Sequence, residues 1–194
     1  VRYLTNHSTG KMGYAVARAA AMRGADVTLI HGPTALPPVK FTEDVPITTA
    51  QDMYEAVTSR FADMDILVMA AAVADYRPAT VADDKIKKKD GDLSIPVERT
   101  ADILGTIGPR KTKQFLCGFS METRDMVENS AAKLKKKNLD MVVANNLKVS
   151  GAGFGVDTNV VTFITPDGTR ELPLMSKADV ADAILDEILK RRGH

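Results

Sequence analysis

The run Ile66-Leu67-Val68-Met69-Ala70-Ala71-Ala72-Val73 is apolar at every position. A strand that is wet on one face alternates, whereas one apolar throughout has helices over both faces, as parallel strands do in α/β proteins. The run is far too short to cross a bilayer, so it predicts a central parallel strand. Helical and strand periods alternate around it. Met12 to Arg23 reads as a helix stopped by Gly24, followed by a strand from Ala25 to Ile30 and a short one from Val45 to Thr49. Ala50 to Phe61 is helical, with Ala50, Tyr54, Val57 and Phe61 on one face. Further on come a short helix from Ala101 to Gly108, a strand from Phe115 to Phe119, a helix from Arg124 to Asn138 and a strand from Met141 to Ala144. Asn159 to Leu174 predicts a hairpin turning at Pro166-Asp167-Gly168. Ser176 to Arg192 predicts a final helix, with Ser176 as N-cap, Asp179 in the first turn and Lys190-Arg191-Arg192 in the last. The pattern predicts one domain over residues 1–194. It is an α/β, Rossmann-like, doubly wound and mainly parallel sheet with a C-terminal β-hairpin and final helix, binding ligands outside the carboxyl ends of its strands.

Composition narrows the partners. With 26 basic and 25 acidic residues no global field recruits nucleic acid or a membrane surface, so only local clusters can be electrostatically specific. The lone cysteine excludes an internal disulfide framework and fits a reducing, cytoplasmic setting. Trp is absent and aromatics are few, against a stacked-base nucleic-acid surface.

Four constellations are candidates for chemistry. Asn6-His7-Ser8-Thr9-Gly10-Lys11-Met12-Gly13 runs small and polar into an Ala-rich helix. Such a turn brings backbone N–H groups and a helix N-terminus up to an anion, and equally serves as a plain small-residue helix start. It has the glycine spacing of neither a Walker A loop nor G-x-G-x-x-G. Ala70 to Arg77 lies at the carboxyl end of the apolar strand, with tiny side chains that leave backbone open to a ligand and one carboxylate at Asp75. Lys85-Ile86-Lys87-Lys88-Lys89-Asp90-Gly91-Asp92 has the composition of a solvated face, yet its place after that strand suits a lysine-bearing flap over phosphates. On the helix Arg124 to Asn138, Met126, Val127, Ala131 and Leu134 form the packing stripe, while Lys133 and Lys137 stand one turn apart and can address a single anion. Phe119, at a strand end, suits stacking on a base as well as a place in the core. Cys117 reads as an inert buried thiol, and Gly151 to Gly155 as backbone punctuation.

Together, Arg2 to Gly13, Ala71 to Arg77 and Lys85-Ile86-Lys87-Lys88 closely resemble phosphopantothenoylcysteine synthetase, and Lys137-Asn138-Leu139-Asp140, Ala144-Asn145 and Gly153-Phe154 extend the likeness over the chain. The resemblance implies a CTP-dependent ligase that joins 4′-phosphopantothenate to L-cysteine through an acyl-cytidylate, releasing pyrophosphate and then CMP. It implies Mg2+ with the triphosphate, a homodimer, and fusion to a flavin-dependent decarboxylase within a bifunctional protein of coenzyme A biosynthesis. By resemblance, Asn6 holds the acyl-cytidylate and Lys85 acts in the first step. Arg2 flanks the substrate. The nucleotide falls to Met69, Ala70, Ala71, Asp75, Lys85, Thr100, Ala101, Asp102, Ile103, Phe119, Lys133 and Lys137. Residues 77–97 become a flap and dimerisation arm.

Thr100-Ala101-Asp102-Ile103 departs from the Asn-Pro-Asp-Ile of many relatives but keeps the acid, and Ser120-Met121-Glu122-Thr123 stands where Ala-Ala-Glu-Thr is common. The family's opening strand and Gly-rich turn are expected immediately before Val1. Three rival readings remain: a nicotinamide-dependent oxidoreductase, which lacks its G-x-G-x-x-G and Tyr-x-x-x-Lys signals here; a regulatory nucleotide-binding module, which leaves Asn6 and Lys85 unexplained; and a truncated, inactive fragment of the same enzyme.

Overall fold

A computed structural model describes residues 3–84, 94–122, 126–146 and 156–193. The first half runs α1 (Lys11–Met22), β1 (Val27–His31), β2 (Thr42–Pro46), α2 (Ala50–Arg60), a 3-10 turn (Phe61–Asp63), β3 (Ile66–Met69), β4 (Tyr76–Pro78) and β5 (Val97–Arg99). The second runs α3 (Ile103–Ile107), a 3-10 turn (Gly108–Arg110), β6 (Phe115–Glu122), α4 (Met126–Lys136), β7 (Met141–Asn146), β8 (Thr158–Asn159), β9 (Val161–Thr165), β10 (Gly168–Glu171), β11 (Met175–Ser176) and α5 (Lys177–Arg192).

The main sheet has the order β10-β9-β7-β6-β3, with β3, β6 and β7 parallel and the β9–β10 hairpin added antiparallel. Period-two alternation sorts its residues between two helical layers. Phe115, Cys117, Met141, Val143, Val161 and Phe163 pack with Val16 of α1 and with Val180, Ile184 and Ile188 of α5. Leu116, Val142, Ala144 and Ile164 point the other way, against Val57 of α2, Ile103 and Ile107 of α3, and Leu134 of α4. The expected hairpin turns where the sequence places it. The final helix is capped as expected, Ser176 Oγ accepting from the Asp179 N–H at 3.1 Å.

Three expectations are corrected. The apolar run does have helices over both faces, Ile66 and Val68 meeting one core and Leu67 and Met69 the other. Among the described residues it nevertheless stands last in the order of this sheet and pairs with β6 alone, and all four residues of β3 are only half-buried. On the edge away from β6 lies a cavity of 1660 Å³, lined by Ile66–Val73 on one side and Val27–Ile30 of β1 on the other. β1 and β2 pair parallel as a separate two-stranded sheet. The second strand ends at Pro46, not Thr49, because Thr49 is taken up by a reciprocal capping box. Its hydroxyl accepts from the Asp52 N–H at 3.1 Å while its own N–H donates to Asp52 Oδ2 at 2.8 Å. Finally, Val127 is exposed, and its expected place in the α4 stripe is taken by Ser130, fully buried beside Leu134. No described helix is long and apolar enough to cross a membrane.

Candidate functional site

The parallel strands stop at different heights. Met69, the last residue of β3, pairs with Gly118, so Phe119 of β6 projects beyond the end of β3. There Ala70 leaves the sheet and the chain runs irregularly to Asp75. The space so opened is a cavity of 390 Å³ walled by Met69, Ala71, Asp75, the segment from Arg99 to Leu104, Phe119, Lys133 and Lys137.

Each wall is fixed by bonds that the sequence composition makes possible. Thr100 stitches the segment before α3 to the strand end, its Oγ1 donating to Ala74 O at 2.6 Å and its N–H to Asp75 O at 3.0 Å. Asp102 caps α3, accepting from the Gly105 N–H at 2.9 Å. The same carboxylate receives Lys137 Nζ at 2.8 Å. Burial alone raises the Asp102 carboxyl pKa. The hydrogen bonds from Lys137 and Gly105, with the charges of Lys137 and Lys133, outweigh it and hold the carboxyl below the usual range. Lys133 Nζ donates to Phe119 O at 2.8 Å. Lys133 and Lys137 thus come from one helical face to one cavity, beside a half-buried phenyl ring and an exposed carboxylate at Asp75. That is a lining suited to a polyanion carrying an aromatic group.

Of the residues singled out by sequence, Met69, Ala71, Asp75, Thr100, Ala101, Asp102, Ile103, Phe119, Lys133 and Lys137 all line this cavity. Ala70 instead lines the larger one, as do Asn6, His7 and Ser8. Asn6 reaches the dividing wall, its Nδ2 donating to Val73 O at 3.1 Å, and Val73 borders both cavities. Gly10, at φ 75°, turns the chain into α1 without any side-chain cap, and Lys11 pairs with Asp157 at 2.7 Å. Cys117 is fully buried and burial pushes its thiol pKa up, in keeping with an inert role. Arg2, Lys85 with the rest of the run to Asp92, and Gly151 to Gly155 lie outside the described residues.

Sequence reasoning did not single out Arg99. It pairs across the β4–β5 ribbon with Tyr76, its guanidinium 5.9 Å from the ring centre, and both line the cavity. The only signal was position, immediately before Thr100. Among the described residues no group of three or more His, Cys, Asp or Glu is arranged to hold a metal ion.

Comparison with known proteins agrees with this architecture. The family described as "DNA/pantothenate metabolism flavoprotein C-terminal domain" matches residues 1–191. The coenzyme A biosynthesis bifunctional protein CoaBC of Bacillus subtilis (strain 168) is 52% identical over 190 residues, covering 97% of this chain and 47% of that protein. The chain therefore spans about half the length of the curated relatives it matches. A crystal structure of the C-terminal domain of a CoaBC protein superposes with a TM-score of 0.82 at 43% identity, covering 97% of this chain and 85% of the other. A Cab2 mutant in complex with phosphopantothenate-cysteine shares the fold, with a TM-score of 0.82 at 18% identity, covering all of this chain and 80% of the other.

Proposed function

The chain belongs to the DNA/pantothenate metabolism flavoprotein C-terminal domain family, and from that premise we propose that it is the phosphopantothenoylcysteine synthetase part of a coenzyme A biosynthesis protein. The observation that carries this reading is the convergence of Asp75, Asp102, Phe119, Lys133 and Lys137 on one cavity, with Asn6 hydrogen-bonded to Val73 in its wall.

In this reading CTP occupies the smaller cavity. Phe119 flanks the base, and Lys133 and Lys137 receive phosphate oxygens, the compact ammonium groups neutralising charge as the bond to pyrophosphate breaks. The 4′-phosphopantothenate carboxylate attacks the α-phosphorus, giving an acyl-cytidylate and pyrophosphate. The cysteine amine then attacks the acyl carbon, CMP leaves with the bonding pair, and the amine loses a proton. By resemblance Lys85 serves the first step. Asn6, its amide already turned towards the dividing wall, holds the acyl-cytidylate for the second, and Arg2 flanks the substrate. Mg2+ carried by a triphosphate would ask the protein for only one or two carboxylates, and the exposed carboxylate of Asp75 on the cavity wall fits that need. When bound, the ion would neutralise the phosphates.

The domain extends over residues 1–194 with an arm at 77–97, which we assign to a homodimer contact. The exposed apolar side chains of Val81, Ile95 and Val97 support this, and a monomeric mass by light scattering at micromolar concentration would refute it. The same kinship supports fusion to a flavin-dependent decarboxylase and a cytoplasmic location as part of this reading.

The test is pyrophosphate release from phosphopantothenate with CTP or ATP, with and without cysteine. Release with CTP in the absence of cysteine, lost in Lys85→Gln, is the expected result. No release with either nucleotide would overturn the proposed activity for this chain.

A further inference from the structure

Lys137 lies one residue past the end of α4, where a long side chain would ordinarily be loosely placed. Here its backbone is clamped. The helix leaves through Asn138 in the left-handed region at φ 50°, and the Leu139 N–H returns to Leu134 O at 2.9 Å. Asn138 Nδ2 then donates to Gly108 O at 2.9 Å. Gly108 is buried against the same spot, so closely that a Cβ on it would lie 2.0 Å from Lys137 O and 2.8 Å from Lys137 C. Only glycine permits this approach of two backbones.

Gly108 follows the last residue of α3, and Asp102, which pairs with Lys137, caps the first turn of the same helix. Each end of α3 therefore touches Lys137, the first through the Asp102 carboxylate and the second through the Gly108 backbone. Asp140 closes the bracket behind it. It accepts the Leu116 N–H at 2.7 Å and Lys111 Nζ at 2.9 Å, tying the exit of α4 to β6.

We propose that Gly108 and Asn138 are positioning residues that clamp the backbone of Lys137 and so hold its ammonium in the nucleotide cavity. The inference rests on the reading of that cavity as the CTP site. The amide of Asn138 acts on the ligand only through Lys137. Its side chain is exposed and far from being a core contact, so its consequence is local.

The experiment is a double-mutant cycle on the whole chain, reading the CTP dissociation constant by calorimetry and the kcat and KM of pyrophosphate release. Asn138→Gly keeps the left-handed turn and deletes only the amide. It should weaken CTP about five- to tenfold, with the loss in KM rather than kcat. In a Lys137→Ala background the same substitution should add no further loss. Gly108→Ala should cost more than Asn138→Gly because a backbone has to move, and if it fails to fold, Asn138→Gly carries the test alone. Equal losses from Asn138→Gly in both backgrounds, or no loss in either, overturn the proposal. If instead Lys137→Ala leaves CTP binding unchanged, the nucleotide reading of the cavity fails, and the inference falls with it.

Discussion

The cavity beside Phe119 and the turn before α1 meet at a shared wall that includes Met69, Ala71, Val73 and Thr100, yet they are built differently. The cavity draws its groups from six elements and fixes them by short bonds: Thr100 to Ala74 at 2.6 Å, Lys133 to Phe119 at 2.8 Å and Lys137 to Asp102 at 2.8 Å. The turn is exposed from Tyr3 to Ser8, and its hydrogen bonds include Asn6 to Val73 at 3.1 Å, Gly10 to Ser8 at 3.3 Å and Thr34 to Thr9 at 3.3 Å. A triphosphate repels itself and gains most from donors already in place, because no reorganisation is then needed when it binds. In the proposed reaction Asn6 would meet its ligand with a neutral amide, so its contribution would be made when the acyl intermediate is present.

The largest expected effect therefore separates the two regions by reaction step. Asn6→Asp should lower amide formation by about a hundredfold or more, the scale of losing one donor to a developing oxyanion, while pyrophosphate release without cysteine persists. Quenched-flow measurement of both products decides it. If release falls as far as amide formation, the turn serves both steps and the contrast is broken. Next in size is Lys137→Ala, a lost charged hydrogen bond to phosphate worth about 2 kcal/mol, or roughly thirtyfold in the CTP dissociation constant. Equal weakening of CTP by Asn6→Ala would show that the nucleotide spans both regions.

Much of the fold was legible because it depends on local pattern. Pro166-Asp167-Gly168 turns the hairpin, Ser176 and Asp179 cap α5, and the spacing of Lys133 and Lys137 brings both to one cavity. What was not legible depends on neighbours far along the chain. Nothing in Ile66 to Val73 says that β1 and β2 would pair with each other in a separate sheet rather than with β3. The β4–β5 ribbon, Tyr-Arg-Pro against Val-Glu-Arg, has no apolar alternation to betray it, so Arg99 went unnoticed beside the segment that was found. Asn138 in the left-handed region and Gly108 under the Lys137 carbonyl are settled by a backbone contact between segments thirty residues apart, which no periodicity encodes. The candidate residues themselves were found through resemblance more than pattern. Unaided pattern reached Lys133, Lys137, Phe119, the strand end at Asp75, the turn at Asn6 and the run at Lys85, and left the roles of Asn6 and Lys85 open between structure and chemistry.

The fixity of the cavity can be loosened without touching a ligand group. Ser120 and Ser130 share a fully buried hydrogen bond of 2.7 Å that holds α4 to β6, one turn before Lys133. Ser130→Ala strands the Ser120 hydroxyl and should cost about 1–3 kcal/mol, lowering the melting temperature by several degrees in a chain of this size. The double variant Ser120→Ala, Ser130→Ala should lose less than the two singles together, since neither hydroxyl is then left unpaired. Strict additivity would mean that the bond does not hold the helix.

The smallest effect isolates the Asp102 charge. Its carboxyl pKa is depressed in the folded state, with the hydrogen bonds of Lys137 and the Gly105 N–H outweighing burial. A group depressed on folding contributes stability above its unfolded pKa, near 3.9, and loses that contribution as pH falls through the lower folded value. Asp52, Asp65 and Asp157 are also depressed and would blur a simple acid titration. They are common to wild type and Asp102→Asn, so the difference between the two cancels them. Denaturant melts should show a modest gap in favour of wild type that is constant above about pH 5 and closes below about pH 4. The carboxylate is half-exposed, so the gap should also shrink in salt. A gap unchanged across that range would mean that the caps and backbone contacts hold α3 against Lys137 without the charge. In that case the order of this cavity, and its contrast with the turn, rests on geometry alone.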